Sequence, residues 1–139
     1  VSSIGASALD PNWFKEVKNR KNVLFIIEGL SMYLTAEENA KILSIIRKNF
    51  DTATVIMECI AKMWVKRERV EKSIQQTGAR FVFGADSFDD IKNIAQGFHK
   101  IKDDNILRGM RVLMPTLKLI DWLPIARKIT QKILVFSKD

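Results

Sequence analysis

The sequence predicts an α/β fold with a mostly parallel sheet, and three observations carry that expectation. Two short apolar runs, Val23–Ile27 and Thr54–Met57, each lead into a carboxylate. Amphipathic segments separate and follow them. The resulting order of helix, strand, helix, strand, helix over the first two-thirds of the chain asks for right-handed crossovers between parallel neighbours. Length and composition agree, since 139 residues at 47% hydrophobic and 28% charged suffice for one domain, residues 1–139, with a real core.

The elements follow in order. Asp10-Pro11 reads as a helix start, aspartate at the N-cap and proline in the first turn, leading into Asn12–Val17. The basic stretch Lys18–Lys21 then closes that helix at the negative end of its dipole. Val23–Ile27 is continuously apolar, as strands buried on both faces are, and stops at Glu28-Gly29. Thr35-Ala36-Glu37-Glu38 is a capping box, and its helix lays Ile42, Leu43, Ile46 and Phe50 along one face. Thr54–Met57 is the second buried strand, followed by Glu58-Cys59. A third helix is expected from Lys62 to Thr77, stopped by Gly78.

The last third carries weaker signals. Residues 80–84 read as a short extended piece or loop, and Ser87–Asp90 caps a helix running through Ala95. Phe98–Ile101 and Lys132–Phe136 read as strands, the second closing the fold. Between them Ile106–Ile129 is helical in pattern, but Pro115 and Pro124 break or kink it.

Several function classes find no support. Five residues is the longest apolar run, far short of a membrane span, and no charged leader with an apolar segment opens the chain. Cys59 stands alone, so neither an internal disulfide nor a cysteine zinc site is available, which points to a reducing, cytoplasmic setting. The net charge of +7 is spread evenly, with eleven Lys/Arg against eight Asp/Glu in residues 1–70 and twelve against eight in residues 71–139. Lys66, Arg67, Arg69 and Lys72 form the densest basic cluster, but Glu68 and Glu71 interrupt it. It reads as a solvated helix face, and no nucleic-acid partner is expected. His99 has no partner at metal-ligand spacing, so it reads as a surface or packing histidine and no metal is expected. The methionines and Trp64 sit at core spacing. No G-x-G-x-x-G, P-loop or G-x-S-x-G sequence occurs, although a nucleotide-binding α/β domain ordinarily carries a glycine-rich first turn. Opening on Val1 rather than Met, the chain is expected to be a piece of a longer protein.

In parallel α/β sheets ligands bind beyond the carboxyl ends of the strands, where both candidate carboxylates fall. If the two strands are neighbours, a spacing of about 4.8 Å brings Glu28 and Glu58 to one rim. There a carboxylate can accept from ribose hydroxyls or an amino group, or attract a cation; equally, each can simply cap the turn that follows. Spacing alone leaves both readings open. Gly29 suits a close backbone approach, and Tyr33 can cover a ligand or contact a cation through its ring, or else pack against the Thr35 helix.

The stretch Glu28-Gly29-Leu30-Ser31-Met32-Tyr33-Leu34 resembles the E-G-x-x-M-Y-L segment of the leucine carboxyl methyltransferase and polyketide O-methyltransferase family, of which the tetracenomycin-type enzymes are members. Ser7-Ala8-Leu9-Asp10-x-x-Trp13 upstream, the Thr35 helix, the acidic end of the second strand and Phe83-Gly84-Ala85-Asp86 downstream extend the similarity over nearly the whole chain. The resemblance implies an S-adenosylmethionine-dependent enzyme with a seven-stranded, class I (Rossmann-like) fold and helices on both faces. Val23–Ile27 would be strand four, Thr54–Met57 strand five, and the Phe98 and Lys132 regions strands six and seven, the last antiparallel. Strand one and its glycine-rich cofactor loop would lie upstream of Val1, making this the C-terminal half of the fold. The same likeness implies that Glu28, Gly29 and Tyr33 lie beside the cofactor, that Ser7 and Ala8 approach its adenine, and that Glu58 faces the substrate.

The expected function is therefore that of the C-terminal part of an O-methyltransferase acting on a carboxyl or hydroxyl oxygen of a small-molecule acceptor. Catalysis would rest on holding that oxygen in line with the methyl group, and no general base stands out. A second reading, from another class, is a non-catalytic α/β interaction module that needs a partner chain. Either way, a strand-four position without strand one leaves Val23–Ile27 as an unprotected sheet edge beside bared helix faces, so self-association is expected.

Overall fold

A computed structural model of the chain describes residues 2–65, 80–108 and 128–139. The elements that position the candidate site are β1 (Val23–Ile27), α1 (Ala36–Asn49), β2 (Ala53–Cys59), β3 (His99–Asn105) and β4 (Lys132–Lys138). The four strands form one mixed sheet in the order β1-β2-β4-β3. β1 and β2 pair in parallel with an unbroken register, Phe25 opposite Val55. β4 lies antiparallel to both β2 and β3, so three strands run one way and the last runs against them. The β3–β4 register shifts between Lys100 and Lys102, a bulge at a strand that carries His99, Lys100, Lys102, Asp103 and Asp104.

Why α1 forms is written at both its ends. The Thr35 hydroxyl accepts the Glu38 N–H at 3.2 Å, while the Glu38 carboxylate accepts the Thr35 N–H at 2.8 Å. This reciprocal box satisfies two donors the first turn leaves over. At the other end the Lys138 ammonium donates to the carbonyls of Arg47 and Phe50, at 3.0 and 2.7 Å, where the helix dipole is negative. The face between carries Ile42, Leu43, Ile46 and the C-cap Phe50 into the core.

That core lies on one side of the sheet. Register alternation sends Val23, Phe25 and Ile27 to the same face as Ala53, Val55, Met57, Leu134 and Phe136, beneath α1. Phe50 anchors its β1 end: its ring lies 4.8 Å from Phe25, edge on, and 6.0 Å from Trp13, stacked. The Arg20 guanidinium sits 5.1 Å above the Phe50 ring and 4.9 Å above Phe14, a cation held against two ring faces. Phe136 is the counterpart at the β3 end, between Phe88 and Phe98.

The opposite face differs from the expectation of strands buried on both sides. Leu24 and Ile26 are 55% and 65% exposed, because β1 ends the sheet and, among the described residues, only one of its faces is covered. Two further expectations are corrected. The segment after Asp10 is a single 3₁₀ turn, Trp13–Glu16, rather than a helix closed by Lys18–Lys21. Asp10 spends its carboxylate on the Asn12 N–H, and Val17 is already extended. The Ser87 segment is likewise a 3₁₀ turn, Phe88–Ile91, since Ser87 makes no capping bond and the Phe88 N–H goes instead to Asp103. Of the helix expected over 62–77, only a 3₁₀ turn at Lys62–Trp64 is described; residues 66–79 and most of the Ile106–Ile129 segment lie outside the described residues.

Candidate functional site

β1 and β2 are direct neighbours, and the two strand-end carboxylates, Glu28 and Glu58, line one cavity of about 190 Å³ with Ile26, Ile27, Ile56, Ile106 and Ile133. It lies at the carboxyl ends of the parallel pair, on the side of Leu24 and Ile26, lined by five isoleucines and the two acids. Glu58 does not follow its strand, as expected, but is the penultimate residue of β2 and is buried, while Glu28 is exposed just beyond β1.

Glu58 also holds the turn that carries Glu28. Its Oε2 accepts the Gly29 N–H at 2.8 Å. Gly29 takes a φ of +62°, so the chain turns through a left-handed residue directly beneath that bond. A Cβ there would touch nothing within 4 Å, which leaves the backbone as the whole cost of substitution. Gly29→Ala is therefore expected to destabilise by about 1–2 kcal/mol, with Gly29→Asn recovering part of it, because asparagine tolerates this region. Urea unfolding of the two variants measures it; equal stability of Ala and wild type would show that the turn is not held as described.

Beyond the turn, the Ser31–Tyr33 3₁₀ segment is tied to β2 on one side and to α1 on the other. The buried Ser31 hydroxyl donates to the Glu58 carbonyl and lies 3.7 Å from the Cys59 sulfur. From below, the Asn39 amide on α1 donates to the carbonyls of Ser31, Leu34 and Thr35 at 3.0, 3.2 and 3.0 Å. Burial pushes the Cys59 thiol up to about 11, against a smaller opposite effect of the Ser31 hydroxyl, so this cysteine stays protonated and is no nucleophile. Tyr33 projects from this segment half-exposed, its ring 5.3 Å from that of Phe81.

Ser7 and Ala8 make their hydrogen bonds within the N-terminal segment. The Ser7 hydroxyl accepts the Leu9 N–H and the Ala8 carbonyl accepts the Trp13 indole N–H at 3.0 Å, so both stabilise the N-terminal turn. No hydrogen bond joins them to Glu28, Gly29, Tyr33 or Glu58 among the described residues. A larger cavity of about 400 Å³ lies nearby, between Ser3–Ala6 and Asp10–Glu16, but neither Ser7 nor Ala8 lines it. His99 is exposed on β3, and among the described residues no three His, Cys, Asp or Glu side chains gather as a metal site.

Three buried polar residues escaped the sequence reading. Asn39 could have been found, because a polar residue on the apolar stripe of a helix signals a buried amide with partners. Lys132 could too: strand alternation sets it on the face of Leu134 and Phe136, and burial lowers its ammonium below the usual lysine range, opposed by Asp86. Ser31 gives no such signal, since any turn accepts a serine.

Among known proteins the chain matches no protein family and no curated sequence. One solved structure aligned with it is Haemonchus contortus phosphoethanolamine N-methyltransferase 2 in complex with phosphomonomethylethanolamine and S-adenosylhomocysteine, at 14% identity and a TM-score of 0.44. The alignment covers 85% of this chain and 32% of that structure, so the chain spans about a third of its length. Among the described residues no helix is long and apolar enough to cross a membrane.

Proposed function

We propose that this chain is the C-terminal part of an S-adenosylmethionine-dependent methyltransferase of class I (Rossmann-like) type, directed at a carboxyl or hydroxyl oxygen of a small acceptor. The observation that carries the reading is the junction of Glu28 and Glu58 at one cavity, on parallel neighbours whose sequence resembles strands four and five of that family. The antiparallel final strand supports it as well. The residues fit part of such a cofactor. A cavity of about 190 Å³ falls below the ~300–1,000 Å³ of ordinary ligand pockets, so it can take one end of the cofactor or a small acceptor, not both. When bound, the cofactor supplies a methyl group on a sulfonium centre. The exposed Glu28 carboxylate would orient it by accepting from its hydroxyl or amino groups, with Gly29 allowing close approach. Tyr33, half-exposed over Phe81, would line the methyl path. Glu58 would fix the Glu28–Gly29 turn with one oxygen while lining the acceptor side of the cavity.

Calorimetry with S-adenosylmethionine tests the reading. The chain alone is expected to bind weakly or not at all, because the helix N-terminus and backbone donors that cradle such cofactors belong to a first strand-to-helix turn upstream. A longer protein carrying this sequence is expected to bind, and Glu28→Ala to weaken that binding by about 1–3 kcal/mol, the scale of an unsatisfied buried partner. Micromolar binding by the isolated chain overturns the division of the site. Unchanged binding in the Glu28→Ala protein leaves Glu28 a turn residue, and no binding by the longer protein returns the fold to a non-catalytic interaction module, the reading favoured by an edge at β1 that is bare among the described residues.

A further inference from the structure

We infer that two copies of this chain join through β1, antiparallel about a two-fold axis at Phe25, independently of any methyltransferase activity. Among the described residues β1 ends the sheet, and over its five residues it carries no charge, proline or bulge. Such an edge is a template for another strand. Its backbone is also phased for one. The Val23 N–H bonds to the Thr52 carbonyl on the β2 side, so alternation turns the N–H and C=O groups of Leu24 and Ile26 toward the free edge. With the axis at Phe25, Leu24 of one copy stands directly opposite Ile26 of the other, and each such pair exchanges both of its bonds. The same pairing brings Leu24 and Ile26, 55% and 65% exposed, side by side with their counterparts on one face.

Charge selects a second copy, and selects its direction. The strand is entered through the exposed Lys21 and left through the exposed Glu28. Antiparallel self-pairing sets the Glu28 end of each copy beside the Lys21 end of the other, twice over. A parallel pairing would set lysine against lysine and glutamate against glutamate, which is unfavourable.

Sedimentation of the 139-residue chain at tens of micromolar decides it. The expected mass is twice 15.9 kDa. Lys21→Glu and Glu28→Lys are exposed changes that leave the core alone, and each is expected to weaken association by about tenfold, since two symmetric contacts turn from attraction to repulsion. The double variant, Lys21→Glu with Glu28→Lys, restores opposite charges in the same register and is expected to return to the wild-type mass. A wild-type chain that sediments at 15.9 kDa overturns the inference. So does a dimer indifferent to the single reversals, which would have to use another surface.

Discussion

Replacing Asn39 with Asp is expected to destabilise the protein by about 2–4 kcal/mol and to loosen the segment that carries Tyr33. The two side chains have the same shape, so packing on α1 is unchanged. What changes is the sign of the contact. The Asn39 amide offers two hydrogens to three carbonyls, so one hydrogen is shared. A carboxylate offers none, and would face the Ser31, Leu34 and Thr35 oxygens with a charge of its own. Each buried carbonyl left unsatisfied costs ~1–3 kcal/mol, although those near the surface recover water. Asn39 is 1% exposed, and its bond to Ser31 is fully buried, so water offers little relief there. Guanidinium unfolding gives the loss, and hydrogen exchange at Val82 and Phe83, whose N–H groups bond to the Met32 carbonyl, gives the loosening. Near-neutral stability would mean that Asn39 does not fasten the turn to α1.

Phe50→Ala is expected to produce a loss of similar or greater size, about 3–5 kcal/mol, the range of a large aromatic deleted from a core. Phe50 is 1% exposed and joins three elements at the β1 end of the core: the Trp13 turn, β1 through Phe25 and the Arg20 guanidinium. Its removal leaves a void that the rigid α1 C-terminus, held by Lys138, cannot close. It also strips Arg20 of one of its two ring faces. Phe50→Leu, which refills most of the volume, should regain much of the loss. If urea midpoints of the Ala and Leu variants coincide with wild type, the aromatic cluster does not contribute as its geometry implies.

What was legible in the sequence follows the range over which each signal acts. The capping box at Thr35 and Glu38 is a contact between residues three apart, and α1 begins where it says. The runs at Val23–Ile27 and Lys132–Phe136 exceed what a loop tolerates in apolar residues, and both are strands, β4 running on to Lys138. Asp10 and Ser87 were misleading because a capping residue proposes a helix that only tertiary contacts can lengthen, and here Asp103 takes the Phe88 N–H. The neighbouring of Glu28 and Glu58 was readable because strand order puts consecutive parallel strands side by side. That Glu58 would be committed to the Gly29 N–H was not, since it depends on a rotamer and a positive φ twenty-nine residues away. The bare face of Leu24 and Ile26 was hidden for a related reason: an apolar run reports that a strand is fit for burial on both sides, not that something covers both.

The two borders of the sheet are built to opposite rules. At β3 the register slips between Lys100 and Lys102, and lysines and aspartates crowd the strand. A kinked, charged border of that kind refuses further strands. β1 at the other border has neither defence. A chain with two open borders could add copies without limit, as a growing ribbon that ends in fibres. Among its described strands this chain has a single undefended border, so that one meeting of the proposed kind would use it up. The joined sheet would show the guarded β3 strand at both extremities and stop at eight strands, twice the four of one copy. In the proposed pair the irregularity at Ile101 would be a terminator, making assembly finite and the pair the end of growth.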